Sequence, residues 1–240
     1  MHKVLVYEDI FNKDTLNIFT DASILKIGND TLGCPGVVVV RMNEYNMLEV
    51  IHASSYIIDH STNNDSEIRA IYKGVQVALG YKNSFKKINL FSDSNICIQG
   101  LKNWIYGWVN CINNNVMYNS SGVPVANQET FLAIVNTIVN NNLNINLYHQ
   151  KGHVKVNNEA SLAKAKRSMM ISNNLKDIDM NLVIQLSLYN DMVDINTKDM
   201  LKQYSMNYSY QDRLKSMFLV SDLRHTTKKI DKYKLLTGGF

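Results

Sequence analysis

The sequence predicts a mixed α/β fold: a five-stranded sheet of three antiparallel strands followed by two parallel ones, flanked by helices, with a helical insertion and a C-terminal extension. Three observations carry this. A β-branched run, Val37-Val38-Val39-Val40-Arg41, stands between two alternating segments. An apolar pattern of helical spacing then separates that group from a fourth strand-like run at residues 88–93. A fifth alternating segment, residues 143–148, follows only after further helical sequence.

Taken in order, residues 16–22 alternate and end in Asp21, and the valine run is a central strand. The turn Asn43-Glu44-Tyr45-Asn46 leads into a hairpin partner over 48–57. From about 64 to 79, Ile68, Ile71, Tyr72, Val75 and Leu79 share one helical face, and Gly80 supplies the stop. A strand at 88–93 precedes a helix over roughly 94–109. Residues 111–123, rich in Asn and Ser, read as a loop. Beyond Pro124 come a helix near 127–141, the strand at 143–148, and helical stretches at about 157–172 and 181–203.

The 240 residues, 45% hydrophobic and 19% charged, suffice for one well-packed domain plus an appendage. The reading is a domain over 1–203 and an extension over 204–240. No run approaches ~20 consecutive apolar residues, and Glu8 and Asp9 arrive too early for a secretory signal, so a cytoplasmic monomer without membrane contact is expected. Cys34, Cys97 and Cys111 lack C-x-x-C spacing, which argues against a disulfide framework or zinc knuckle. The net charge of +4 is compatible with a phosphate-backbone partner. The basic residues gather late: Lys151, Lys155, Lys164, Lys166 and Arg167, then Arg213, Lys215, Arg224, Lys228, Lys229, Lys232 and Lys234.

Three carboxylates stand where apolar runs end or begin. Asp21 and Asp93 close strands, and Glu67 lies four residues before Ile71, on the core-facing stripe of its helix. If that helix is a crossover to a parallel neighbour of the first strand, the two strand ends lie ~4.8 Å apart. A carboxylate cluster repels itself unless cations neutralise it, and oxygen-only ligands select Mg²⁺ or Mn²⁺. Taken singly, each acid reads better as a turn or helix cap; the three together point to a metal site.

Over residues 14–203 these segments resemble the type I ribonuclease H family. Phe19-Thr20-Asp21-Ala22-Ser23 is similar to its first motif, with Gly33-Cys34-Pro35-Gly36 as a delayed glycine-rich turn. Thr62-Asn63-Asn64-x-x-Glu67-x-x-Ala70 resembles the second motif and Ser92-Asp93-Ser94-Asn95 the third. Trp104-Ile105-Tyr106-Gly107-Trp108 and Pro124-Val125-Ala126-Asn127 resemble the segment around the substrate-binding handle, and Lys151-Gly152-His153 the turn carrying a mobile histidine. The family's fourth carboxylate follows that histidine in an Asn-x-x-Ala/Val-Asp pattern. Glu159 is the nearest acid but its spacing to Leu162-Ala163 does not fit, whereas Asn190-Asp191-Met192-Val193-Asp194 fits. Asp194 is therefore assigned to the fourth position and Asn190 to the supporting one, making residues 155–188 a helical insertion.

The resemblance implies a ribonuclease H-like sheet and hydrolysis of the RNA strand of an RNA–DNA hybrid with two Mg²⁺ ions, which Mn²⁺ can replace, held ~3.5–4 Å apart. Asp21 would bridge the ions, Glu67 and Asp93 would complete the leaving-group side, Asp194 would hold the ion binding the attacking water, and His153 would assist proton movement or product release. His149 and His153 form an H-x-x-x-H spacing, but without a third ligand nearby a zinc site is not indicated. Thr62, Asn63, Asn64, Asn95, Asn190 and Lys151 match positions on the substrate side; amides suit a 2′-hydroxyl because each both donates and accepts.

The chain departs from the family at the handle, since residues 103–123 contain no Lys or Arg. The basic helix around Lys164, Lys166 and Arg167 is expected to supply the missing phosphate contacts, so that charge reversal there flattens the salt dependence of binding. In the extension, Tyr204, Tyr208, Tyr210, Met217, Phe218, Leu219 and Val220 suggest a short packed helix with a partner-protein or nucleic-acid role. Two other readings compete: a DNA-acting nuclease of the same fold, such as a resolvase or transposase core, and a non-catalytic nucleic-acid-binding module. The Lys-Gly-His turn and the Asn63-Asn64 pair weigh against the first, and three retained acids against the second. The Asn-rich, Pro-poor composition hints at an AT-rich genome, such as a phage or a low-GC bacterium.

Overall fold

The computed structural model describes residues 3–28 and 30–222, with side chains through residue 207. It divides into two compact units, Met1–Leu201 and Lys202–Phe240. In the first, a short strand β1 (Lys3–Leu5) and a helical turn α1 (Tyr7–Ile10) precede the sheet. β2 (Thr15–Ile27) and β3 (Asp30–Met42) form a long antiparallel hairpin, and β4 (Leu48–Ser55) and β5 (Ile58–Asp59) both pair with β3.

Helix α2 (Asn63–Tyr81) crosses over to β6 (Lys87–Ser92), which lies parallel to β2. Then come α3 (Asn95–Gln99), a π-helical stretch over Gly100–Trp104, and α4 (Ile105–Asn110). A small hairpin of β7 (Ile112–Asn113) and β8 (Val116–Met117) precedes α5 (Gln128–Asn140). β9 (Ile145–His149) completes the sheet order β4-β3-β2-β6-β9, with β6 and β9 parallel. The last elements are α6 (Glu159–Ser172), β10 (Leu175–Ile178) and the long α7 (Met180–Asp222).

Three antiparallel and two parallel strands match the expected sheet; the two-residue β5 adds a sixth. The central strands β2, β3 and β6 are largely buried on both faces, and the period of two sorts their side chains. Leu16, Ile18, Val37, Val39, Ile88 and Leu90 pack with α2, α3 and α5. Phe19, Val38, Val40, Phe91 and Tyr148 pack with α1, α6 and α7. On the second face Phe19 stacks on Phe91 and Phe91 on Tyr148, at centroid separations of 5.1 and 5.3 Å. Asn17, Asn89 and Asn146 occupy one register across β2, β6 and β9. Asn146 donates to Asn89, Asn89 to Asn17, and Asn17 to the carbonyl of Ile10, so this buried polar row is satisfied step by step.

Several expectations are corrected. Gly33-Cys34-Pro35-Gly36 is not a turn: it lies inside β3, with Gly33 opposite Ile24 and Ile58 and Gly36 opposite Asp21 and Ser55. These glycines admit neighbours instead. A Cβ on Gly36 would lie 2.4 Å from Thr197 Cγ2 on α7, and one on Gly33 would overlap Ser66 Oγ. The loop at 111–123 contains the β7–β8 hairpin, closed by Asn114 and Asn115 at φ of 49° and 64°. Asn tolerates the left-handed region that such two-residue turns require. The insertion is not wholly helical, because β10 pairs in parallel with β1 at the chain's start. Residues 204–222 continue α7 rather than forming a separate short helix, and Arg224 and the basic positions after it lie outside the described residues.

Candidate active site

The parallel pairing of β2 with β6 ends at Thr20 opposite Ser92, so Asp21, which continues in β2 opposite Gly36 of β3, and Asp93, which follows the end of β6, come next in line on adjacent strands. Phe19 faces α7, and alternation carries Asp21 and Ser23 to that same face. Asp21 is 6% exposed, and among the described residues its carboxylate accepts one hydrogen bond, from the Ala22 amide at 2.7 Å. Burial, then the neighbouring Asp93, Asp194 and Glu67 charges, push its carboxyl up to about 8. Those four acids come from β2, the end of β6, α7 and α2.

Glu67 sits five residues into α2, whose first turn is capped by Thr62 accepting from the Asp65 amide at 3.2 Å. One oxygen of Glu67 accepts from Ser94 and the other from Asn63. Ser94 is itself the N-cap of α3, so one hydroxyl ties the β6–α3 corner to the acid on α2. Asp93 is pushed up to about 6 by burial and by Glu67, with His153 and Lys151 pulling the other way. Its Oδ2 lies where a side chain on residue 152 would begin: a Cβ on Gly152 would be 2.2 Å away. The Lys-Gly-His turn therefore needs its glycine in order to close on Asp93.

Asp194 reaches the site from α7. Its side chain is 14% exposed, ion-paired at 2.6 Å with Lys198 one turn on, 3.4 Å from Ser23 Oγ and 4.0 Å from His153 Nδ1. Ser23 and Thr197 share a buried hydrogen bond of 2.8 Å, and Val193 and Thr197 pack over Gly36. A side chain at position 36 would lift α7, and Asp194 with it, off the sheet. Glu159, the other acid considered for this position, is exposed at the start of α6 and is not among the charges acting on Asp21.

The remaining residues divide. Asn63, Asn64, Asn95, Lys151, Lys164 and Arg167 are exposed, as a substrate-facing group must be, and Asn63 is turned onto Glu67. Lys166 is committed to Asp177 at 2.8 Å. Asn190 is corrected: at 1% exposure it cannot meet substrate, and it instead accepts from the buried Gln150 amide. Trp108 packs edge-on against Phe131 at 5.2 Å, whereas Trp104 is 44% exposed. Sequence reading passed over Ser94, Ser23, Lys198 and Gln150. Ser94 and Ser23 stood inside the quoted motifs and Lys198 at i+4 from Asp194, but their partners are remote in sequence or ambiguous without the fold.

The model of the RNase H family matches residues 13–169, from the start of β2 into α6. The chain belongs to the RNase H family. Curated RNase H relatives include Ribonuclease H of Haemophilus influenzae strain 86-028NP, 33% identical over 141 residues, which span 58% of this chain and 78% of the relative. Ribonuclease HI of Pasteurella multocida is 29% identical over 62% of this chain and 88% of its own length. Human Ribonuclease H1 is 32% identical over 38% of this chain and 29% of its own. The solution structure of the PFV RNase H domain aligns over 68% of this chain and 96% of that domain, with a TM-score of 0.49 and 18% identity. Asp194 lies beyond the residues the RNase H family model matches, so its place in the site comes from the packing of α7 alone.

Proposed function

We propose that this ribonuclease H cleaves the RNA strand of RNA–DNA hybrids at the cluster of Asp21, Glu67, Asp93 and Asp194, with divalent metal ions bound between these acids and the substrate phosphate. The observation carrying this reading is the electrostatics of Asp21. A buried carboxyl surrounded by three others, with a single side-chain hydrogen bond and no cation among the charges that act on it, gives up its charge to a proton unless a bound metal ion takes the proton's place.

The donor set fits Mg²⁺ or Mn²⁺, being all oxygen. Among the described residues no three acid, histidine or cysteine side chains close tightly enough to cage an ion unaided. Mg²⁺ keeps several waters and is bound through one or two carboxylates plus substrate phosphates. Asp21 would serve both ions, Glu67 and Asp93 one of them, and Asp194 the other. When bound, such ions lower the pKa of a water and stabilise the charge of the departing oxygen.

The chain's own residues prepare the rest. Ser94 and Asn63 fix both oxygens of Glu67, leaving its outer lone pairs for a ligand. Lys198 pairs with Asp194 and would have to yield to a metal ion held there. His153, 71% exposed and held at φ of 53° after Gly152, stands 4.0 Å from Asp194, placed to take or return a proton at the water side. Asn64 and Asn95 present exposed amides near Glu67 and Asp93 for a 2′-hydroxyl.

The deciding assay measures Mg²⁺-dependent cleavage of an RNA–DNA hybrid, duplex DNA and duplex RNA, with Asp93→Asn as control. Cleavage confined to the RNA strand of the hybrid and lost in the control is expected. Equal cleavage of all three substrates, or none, would overturn the reading.

A further inference from the structure

We infer that Gln150 and Asn190 are positioning residues for Asp194, a buried pair of amides that sets helix α7 against the end of β9. This rests on the reading of Asp194 as one of the metal-binding acids. Gln150 is the first residue after β9, and its amide donates to the Ser92 carbonyl at 2.9 Å, which continues the pairing with β6 for one more step. Alternation from Tyr148 turns its side chain to the face that α7 covers. There its Nε2 donates to Asn190 Oδ1, 2.5 Å away.

Both side chains are 1% exposed, and the bond between them leaves Gln150 Oε1 and Asn190 Nδ2 buried without a hydrogen-bond partner. Among the described residues no other buried side-chain nitrogen or oxygen lacks one. Reversing both amides reverses the bond and leaves the same number of atoms open, so the connection is the same in either orientation. Open buried amides cost stability, and an apolar pair of similar shape would pack here without that cost. Stability therefore does not explain the pair. What two amides have and two apolar side chains lack is direction, because a hydrogen bond admits one register of α7 on the strand end.

That register decides where Asp194 stands. Asn190 lies one turn before Asp194, and Thr197, which shares a buried hydrogen bond with Ser23 of β2, lies just under one turn after it. Since β2 and β9 flank β6, the two contacts tie α7 down on either side of the strand that leads to Asp93. Gln150 also opens the Lys151-Gly152-His153 turn, whose glycine packs on Asp93 and whose histidine stands 4.0 Å from Asp194. One bond thus joins the helix carrying Asp194 to the turn that closes on Asp93. Asn190, like Asp194, lies past the residues matched by the family model. A misplacement of about 1 Å at a reacting centre can cost about a hundredfold in rate, which is the error such a bond prevents.

The test sets stability against rate in the full chain. In the double variant Gln150→Met with Asn190→Leu, the melting temperature of the metal-free protein should rise by about 2–5 °C. In the same variant kcat for hybrid cleavage should fall about tenfold or more, with hybrid KM within about twofold, and the Mg²⁺ concentration for half-maximal rate should rise. An apolar pair with the parent's kcat, or one that loses rate and stability together, would overturn the inference. Should that pair fail to fold, Gln150→Ala, Asn190→Ala and their combination decide. Single and double losses in kcat of similar size are expected, and losses that multiply would overturn the inference. Asp194→Asn is the control. If it loses activity while the apolar pair keeps the parent's rate, the inference falls and the assignment of Asp194 stands; if it is as active as the parent, both fall.

Discussion

The two halves of the site are built in different ways. Asp21 and Asp93 sit just past the point where the parallel pairing of β2 with β6 ends, Asp21 within β2 and Asp93 after β6, so register and pleat set their places. Asp21 is buried and Asp93 half-buried, and both are crowded by like charge and pushed upward in pKa. Asp194 stands on a helix, carries its own cation in Lys198, and reaches the sheet only because Gly36 lets Val193 and Thr197 close over it. The strand half is held together against its own repulsion. The helix half is already neutralised, and its place depends on packing.

The largest expected effect tests the strand half. Asp21→Asn should reduce hybrid cleavage by about a thousandfold or more, since one substitution removes the acid proposed to serve both metal ions. The same variant should raise the melting temperature of the metal-free protein at pH 8 by about 3–6 °C, because it deletes a buried, unneutralised charge. The sign follows from linkage. The folded-state pKa of Asp21, about 8, lies above its unfolded value, so this group favours the fold at low pH and loses that contribution as pH rises from about 4 through 8. A variant less stable than the parent at pH 8 would show that the repulsion is already relieved. Mg²⁺ should likewise raise the parent's melting temperature more at pH 8 than at pH 5.

Next in size is the contrast between two acids on neighbouring helices. At limiting Mn²⁺, Asp194→Asn should lose about a hundredfold in cleavage rate while Glu159→Gln stays within about twofold. The reverse result would move the fourth carboxylate to α6 and end the distinction drawn between the two halves.

A smaller effect comes from His149, buried two strands away from Asp21 and shifted in the opposite sense. Burial lowers its folded-state pKa to about 4, below the ordinary 6.5. Its contribution is therefore fully present above about pH 6.5 and is lost as pH falls toward 4. Over that window the loss amounts to about 3 kcal/mol at most. Urea unfolding at pH 7 and pH 4.5 should show a smaller drop in His149→Gln than in the parent. Equal drops would place the ring in contact with water.

The smallest effect concerns Lys198. An ion pair whose lysine is 57% exposed contributes little to stability, so Lys198→Met should leave the melting temperature within about 2 °C. The Mg²⁺ requirement should fall about twofold, since the ammonium no longer competes for Asp194. An unchanged requirement would remove Lys198 from the helix half of the site.

The strand order and the main helices were legible because β-branched alternation and helical spacing are local signals. The short pieces were not. β1 and β10 are strands only because they pair with each other across most of the domain, and a three-residue strand has no pattern to read. Gly33 and Gly36 look like turn residues in sequence, yet they serve as gaps through which Ser66 and Thr197 pack. Asn190 was legible as an amide four residues before Asp194, but its burial against Gln150 was not.

By itself the sequence determined the family, the sheet and three of the acids, because motif words and apolar periodicity are written along the chain and need no folding to be seen. The meeting of Asp194 with Asp21, the grip of Ser94 and Asn63 on Glu67, and the row of Asn17, Asn89 and Asn146 were decided only by tertiary structure. The physical reason is that hydrogen bonds and charge repulsion act over a few ångströms. Which side chains come that close is set by strand register and helix packing, whatever their separation along the chain.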